Sequence, residues 1–159
     1  MGCSVRLQGW SLRLPEGGSI NMPVDESPCH DIGEPRVRVL LAEDHPTNRL
    51  VVELILGSSG VEVTSVEDGL KAVHQFKSVR YDVVIMDIQM PVMDGLAAIR
   101  EIRDHEAKSG VDRTPVHVLS TNALPRDREA SIAAGADGHL TKPVDAFALL
   151  STVLLGRAA

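Results

Sequence analysis

Long apolar runs are missing from this chain of 159 residues. No stretch approaches the roughly 18 consecutive apolar residues of a membrane-spanning helix, so no membrane contact is expected. No apolar leader core follows Met1, which argues against a secretory signal. Met1-Gly2 opens like an acylation signal, but Arg6 stands where Ser or Thr is wanted. Cysteine is scarce: Cys3 and Cys29 are the only two, and they match no zinc or redox spacing. Free thiols in a cytoplasmic protein are the simplest reading. His30, His45, His74, His105, His117 and His139 form no metal-ligand spacing with a cysteine or with one another. Excess positive charge is also absent: the formal net charge is -6, which argues against a nucleic-acid surface. There is no internal repeat and no low-complexity tract.

Hydrophobic residues make up 43% of the chain and charged residues 24%, a globular balance. Its length suits one domain with a real core. Residues 1–35 stand apart, with Pro15, Gly17, Gly18, Pro23, Pro28 and Pro35 and no sustained apolar period. They read as a linker or flexible tail with at most a short strand over residues 5–14. Residues 36–159 read as the domain. Each part carries a net charge of -3, so neither is a charged arm.

From Val37 the pattern becomes regular. Strands are expected over residues 37–42, 61–66, 83–87, 115–120 and 137–141. Helices are expected over residues 46–59, 69–78, 95–108, 125–134 and 144–155. Pro46 can open the first helix, because a first-turn residue loses nothing by lacking an N–H. Gly60 and Gly135 suit helix ends. Leu96, Ile99, Ile102 and Arg103 give a partial apolar stripe, and the charged run from Arg100 to Lys108 reads as a solvated face. His117, inside an apolar strand, reads as a hydrogen-bonded core residue, and His45 as a solvated loop residue. Alternating strands and helices predict an α/β fold with a doubly wound five-stranded parallel sheet.

The segment Val83-Val84-Ile85-Met86-Asp87 organises this plan. It does not alternate with polar residues, which suits a strand covered on both faces. It ends at a carboxylate, and Pro91 and Asp94-Gly95 then turn the chain into a helix. Ligands in such sheets sit at the carboxyl ends of the strands. Those ends also deliver Glu43-Asp44, Ser120-Thr121-Asn122 and Thr141-Lys142-Pro143. Three converging carboxylates repel one another. Mg²⁺, a hard cation that takes oxygen ligands, resolves the repulsion, and Lys142 adds a second positive charge. Carboxylate, metal, hydroxyl and ammonium together suit phosphoryl transfer to Asp87 as nucleophile.

These residues resemble the receiver domain of two-component response regulators and hybrid histidine kinases. The resemblance runs from about Val37 to Leu155. It rests on Leu40-Leu41-Ala42-Glu43-Asp44, Asn48, Met86 to Gly95, Leu119 to Ala123 and Gly135 to Pro143, in that order. It implies a flavodoxin-like (βα)5 fold with strand order 2-1-3-4-5. It implies that Asp87 accepts a phosphoryl group from a phosphohistidine. The donor would be a histidine kinase's phosphoacceptor domain or a histidine phosphotransfer protein. Asp44, Asp87 and the Gln89 carbonyl would hold Mg²⁺, with Glu43 acting through water. Lys142 would pair with the phosphoryl group or with Asp87, and Ser120 would swing to a phosphoryl oxygen. Gln89 and Asn122 match positions that tune loss of the phosphoryl group to water. A cis Lys142–Pro143 bond is implied as well.

Two departures stand out. Glu43 replaces the commoner Asp, which lengthens the arm. His139 stands where the family often has Tyr or Phe, the aromatic partner of the hydroxyl switch at Ser120. Two other classes compete with a phosphoacceptor. An aspartyl-nucleophile phosphatase of the dehalogenase type needs a second Asp where this chain has Gln89. A pseudo-receiver would lack part of the set Asp44, Asp87, Ser120 and Lys142, which is complete here. Only four residues follow Leu155, so the expectation is a stand-alone receiver or the receiver segment of a hybrid kinase.

The first helix carries more apolar surface than one face needs. With Leu50 at about 0°, Leu54 falls at about 40°, Val51 at about 100° and Ile55 at about 140°, while Val52 and Leu56 fall at about 200° and about 240°. A helix lying on a sheet needs a stripe of only about 100°. By the resemblance Val51 and Ile55 point into the core, which leaves Leu50 and Leu54 as an exposed pair suited to partner docking.

Deleting residues 1–35 should leave the melting midpoint of the remaining domain nearly unchanged. A fall of more than about 5 °C, or about 1 kcal/mol, would show that this segment packs on the core.

Overall fold

In the computed structural model, the residues described are 36–121 and 124–155. The segment before residue 36, with the short strand expected over 5–14, lies outside the described residues. Five short strands alternate with five helices: β1 Arg38–Ala42, α1 Pro46–Gly57, β2 Glu62–Val66, α2 Gly69–Ser78, β3 Val83–Asp87, α3 Gly95–Ser109, β4 Val116–Ser120, α4 Pro125–Ala134, β5 Gly138–Thr141 and α5 Ala146–Leu155. All the strand pairings are parallel, and the order is β2-β1-β3-β4-β5. The fold is therefore the expected doubly wound sheet. Boundaries moved by a residue or two for local reasons. Gly60, at φ 76°, takes a left-handed turn after α1 has already ended at Gly57. α5 starts at Ala146 because Asp145 Oδ1 accepts the Ala148 N–H at 2.8 Å.

The period-2 geometry of the strands sorts their side chains onto two faces. Leu40, Val84, Met86, Val116 and Val118 face α2 and α3, where Val73, Phe76, Ala98, Ile99 and Ile102 cover them. Val39, Leu41, Val83, Ile85 and Leu119 face Val52 and Leu56 of α1 and Leu149 and Val153 of α5. β3 is buried along its whole length, as its unbroken apolar run implies. α1 corrects one expectation. Val52 and Leu56 are its buried residues, Ile55 is half-buried, and Val51 is exposed. The helix turns the arc from about 140° to about 240° inward. The apolar width leaves the choice of face open, and packing on the sheet and against α5 decides it.

The charged run on α3 is not wholly solvated either. Arg103 and Glu106 turn inward, with side chains 13% and 6% exposed. Arg103 Nη1 donates to Glu106 Oε2 at 2.7 Å and to the Thr114 carbonyl at 2.8 Å. Its Nη2 donates to Asp137 Oδ2 at 2.6 Å, and its Nε to the Gly135 carbonyl at 2.9 Å. Arg113 donates to Asp137 Oδ1, and the Val116 N–H to Oδ2. This network ties α3 to the entries of β4 and β5, and a planar, forked guanidinium suits it.

His117 is half-buried at the sheet's β5 side, and its Nε2 is buried without a hydrogen-bond partner. The expected hydrogen-bonded histidine is thus corrected at that nitrogen. Burial pushes its pKa down and keeps the ring neutral. The ring lies where a Cβ on Gly138 would fall, 2.3 Å from Nδ1, so this place in β5 requires glycine.

Burial alone would raise the Asp137 carboxyl, but the Val116 N–H, Arg113 and Arg103 more than offset it and hold the pKa below the ordinary value. A lowered folded pKa gives stability that is present above the unfolded pKa of about 4 and is lost as pH falls through the folded value. Asp137→Ala should cost about 1–3 kcal/mol near neutral pH, because Arg103 loses one of its two carboxylate partners and the Val116 N–H loses its acceptor. In thermal melts the gap from wild type should narrow as pH falls below about 4. A gap independent of pH would contradict the ionic origin of the contribution.

Candidate functional site

The carboxyl ends of β1, β3, β4 and β5 meet at one cleft of about 400 Å³, lined among others by Glu43, Asp44, Asp87, Gln89, Ser120 and Lys142. The parallel topology accounts for this convergence. Register places Ala42 beside Met86, Asp87 beside Leu119, and Ser120 beside Thr141. The residues that follow these positions therefore leave the sheet at one edge. The backbone locks this edge further, as the Glu43 N–H donates to the Val66 carbonyl and the Lys142 N–H to the Ser120 carbonyl. The Lys142–Pro143 bond is cis.

Asp87 is buried, with 5% of its surface exposed. Lys142 Nζ donates to its Oδ2 at 2.6 Å, and the Gln89 N–H donates to its Oδ1 at 3.2 Å. The same ammonium lies 2.7 Å from Oε2 of Glu43, which is fully buried. That contact is a buried ion pair. One ammonium thus serves two buried carboxylates, and exposed Asp44 adds a third beside them. Carboxylate oxygens of Glu43, Asp44 and Asp87 all lie within 4.8 Å of one another.

The charges do not balance. Burial pushes the Asp87 carboxyl up and the Glu43 charge adds to this, while Lys142 and the Gln89 N–H act the other way. Burial alone would lower the Lys142 ammonium, but Asp87 and Glu43 more than offset it and hold it above its usual range. The cluster is short of positive charge, and all three side chains offer hard oxygen. This donor set fits Mg²⁺, which is bound through one or two carboxylates with waters completing its shell.

The loop between β3 and α3 holds Asp87 in place. Asp94 caps α3 by accepting the Ala97 N–H at 2.8 Å. The Gly95 N–H donates to the Ile88 carbonyl at 2.9 Å. A Cβ on Gly95 would sit 2.0 Å from the Asp87 carbonyl oxygen, so only glycine permits this approach. Val92, at φ 66°, is a β-branched residue in the left-handed region, a strained conformation. Met90 is buried in the core and Met93 packs against it, which is the packing role expected of them.

His139 is not brought into the acidic cleft. It is half-buried on β5 and faces a small cavity of about 50 Å³ shared with Arg128, Ser131 and Ile132 of α4. Its Nε2 is buried without a hydrogen-bond partner. Burial and the Arg128 charge push its pKa down, against Asp127. Asn122 lies outside the described residues. Leu50 and Leu54 are 54% and 64% exposed on α1, as expected, and do not line the cleft. His45 is exposed and does line it. Sequence reasoning passed over Asp127, in the first turn of α4, which lines the cleft as well.

A profile of the response regulator receiver domain matches residues 39–154. The chain is 38% identical over 128 residues to the sensor protein GacS of Pseudomonas syringae pv. syringae, a match covering 78% of this chain and 14% of GacS. It is 33% identical over 158 residues to the sensory/regulatory protein RpfC of Xanthomonas campestris pv. campestris, covering 92% of this chain and 22% of RpfC. The chain thus spans less than a quarter of these curated relatives. Among solved structures, the receiver domain of sensor histidine kinase PA1611 from Pseudomonas aeruginosa has Mg²⁺ coordinated in its active-site cleft. It is similar at a TM-score of 0.71 and 38% identity, over 79% of this chain and all of that one. The receiver domain of the Saccharomyces cerevisiae response regulator Ssk1, crystallised with the histidine phosphotransfer protein Ypd1, is similar at a TM-score of 0.72 and 26% identity, over 75% of this chain and 87% of that one. Matched along almost the whole of its regular part, the chain belongs to the receiver domain family of two-component phosphorelays.

Proposed function

We propose that Asp87 is the phosphoacceptor of this receiver and takes its phosphoryl group from a phosphohistidine on a partner protein. The observation that carries the reading is the pairing of Asp87 Oδ2 with Lys142 Nζ at 2.6 Å, at the end of the central strand and beside two further carboxylates. An Asp87 oxygen attacks phosphorus in line with the leaving imidazole. The O–P bond forms as the P–N bond breaks, and the imidazole nitrogen keeps the bonding pair and takes a proton from water. Lys142, freed from its share in Asp87, follows charge onto the phosphoryl oxygens. The Ser120 hydroxyl donates to one of them. Asp44, Asp87 and the Gln89 carbonyl would hold Mg²⁺, with Glu43 behind them through water. When bound, that ion supplies positive charge to the loose, charge-spread transition state.

On this reading the chain catalyses only its own phosphorylation and dephosphorylation and turns over no external metabolite. Gln89 and Asn122 tune the loss of the phosphoryl group to water, and Ser120 with His139 forms the switch that reports it. The partner is a histidine kinase's phosphoacceptor domain or a histidine phosphotransfer protein, met in the cytoplasm. The Ssk1 receiver, crystallised with such a protein, supports the second form. The sensor relatives support the first. Leu50 and Leu54 of α1, joined by exposed Val51, give an apolar face on the helix that follows Asp44, suited to helical docking.

Incubation with a small acyl phosphate and Mg²⁺ should add one phosphoryl group, labile to hydroxylamine. Asp87→Asn should abolish it, and equal labelling of that variant would refute the assignment. Asp44→Ala should weaken Mg²⁺ binding by about tenfold or more, and an unchanged calorimetric titration would count against the ligand set.

Leu50→Ala with Leu54→Ala should slow transfer from a phosphorylated histidine phosphotransfer protein while leaving labelling by the small donor unchanged. If both rates fall together, the fold has been damaged. If neither falls, this face is not the dock.

A further inference from the structure

Glu43 raises a problem of its own. It is fully buried, its arm is one methylene longer than that of Asp, and its only cation among the described residues is the ammonium it shares with Asp87. A buried carboxylate needs partners for both oxygens. Oε2 faces Lys142 at 2.7 Å. Oε1 accepts from Asn48 Nδ2 at 3.2 Å and from the His45 N–H at 3.3 Å. Arg49 Nη1 donates to the Glu43 carbonyl at 3.0 Å, which fixes the backbone from which the arm extends. Asn48 and Arg49 lie in the first turn of α1, whose N-terminus has no side-chain cap. Asn48 is half-buried and lines the cleft beside the carboxylates.

We infer that Asn48 is a positioning residue for the acidic site: its amide holds Glu43 Oε1 and so keeps Oε2 turned toward Asp87 and Lys142. The chemistry favours an amide at this place. A Lys or Arg would hold the same oxygen but cancel a charge that a divalent cation needs. An Asp would add repulsion and donate nothing once ionised. A neutral donor orients the carboxylate and leaves its charge intact. Glu has one more torsion than Asp, so the hold restricts a carboxylate that would otherwise have more ways to turn.

The inference rests on the reading of the cleft as a Mg²⁺ site, and calorimetric Mg²⁺ titration separates the two. Asn48→Ala should raise the Mg²⁺ Kd by about three- to tenfold, less than Asp44→Ala, because Asn48 acts through Glu43 and the His45 N–H still holds Oε1. Asn48→Leu, which keeps the volume without the donor, should do the same. In a Glu43→Ala background, Asn48→Ala should cause no further loss, because no carboxylate remains to be held. If Glu43→Ala does not melt cooperatively, Glu43→Leu, which fills the space without an acceptor for the Asn48 amide, takes its place. An unchanged Kd in both Asn48 variants, or losses that simply add in the double variant, would overturn the inference while wild-type binding upholds the site. Failure of the wild-type chain to bind Mg²⁺ would overturn both.

Discussion

One ammonium held between two buried carboxylates is the interaction on which this structure turns. Lys142 arrives from the end of β5, Glu43 from β1 and Asp87 from β3, so the contact exists only when the four parallel strands β1, β3, β4 and β5 are in register. Burial makes the arrangement costly, since each ion has lost water. The shared ammonium offsets part of that cost and leaves negative charge over. A site held in that state is ready for a further cation and for a phosphoryl group, whose oxygens bring charge of their own.

The rest of the fold reads as support for this edge. β3 is enclosed on both faces, which keeps Asp87 from moving along the strand. The turn after it is closed by a glycine that no other residue could replace without moving the Asp87 carbonyl. At the opposite edge of the sheet, Arg103, Glu106, Arg113 and Asp137 tie α3 to the entries of β4 and β5. Polar groups are thus concentrated at the two ends of the strands, with apolar layers between them.

Much of this was legible in the residues alone, for identifiable reasons. An unbroken apolar run stopping at Asp87 can hardly be anything but a central strand with a carboxylate at its end. Pro46 and Pro125 begin helices as their missing N–H allows. What was not legible depends on tertiary partners. Val51 and Val52 are alike in character, and only packing against the sheet and α5 determines that Val52 is the one buried. Arg103 and Glu106 look like any charged pair on a solvated helix until Asp137 and the Thr114 backbone, distant in sequence, come into reach. Asn48 was visible as part of a motif, but its hydrogen bond to Glu43 depends on how the β1–α1 loop folds back.

Chemical location of the acyl phosphate tests the role of Asp87 most directly. Borohydride reduces an aspartyl phosphate to homoserine, and peptide mapping of the reduced, phosphorylated chain shows which aspartate has been converted. Homoserine at position 87, absent when the phosphodonor is omitted, is the predicted result. Homoserine at Asp44 or at any other aspartate, with Asp87 intact, would contradict the assignment.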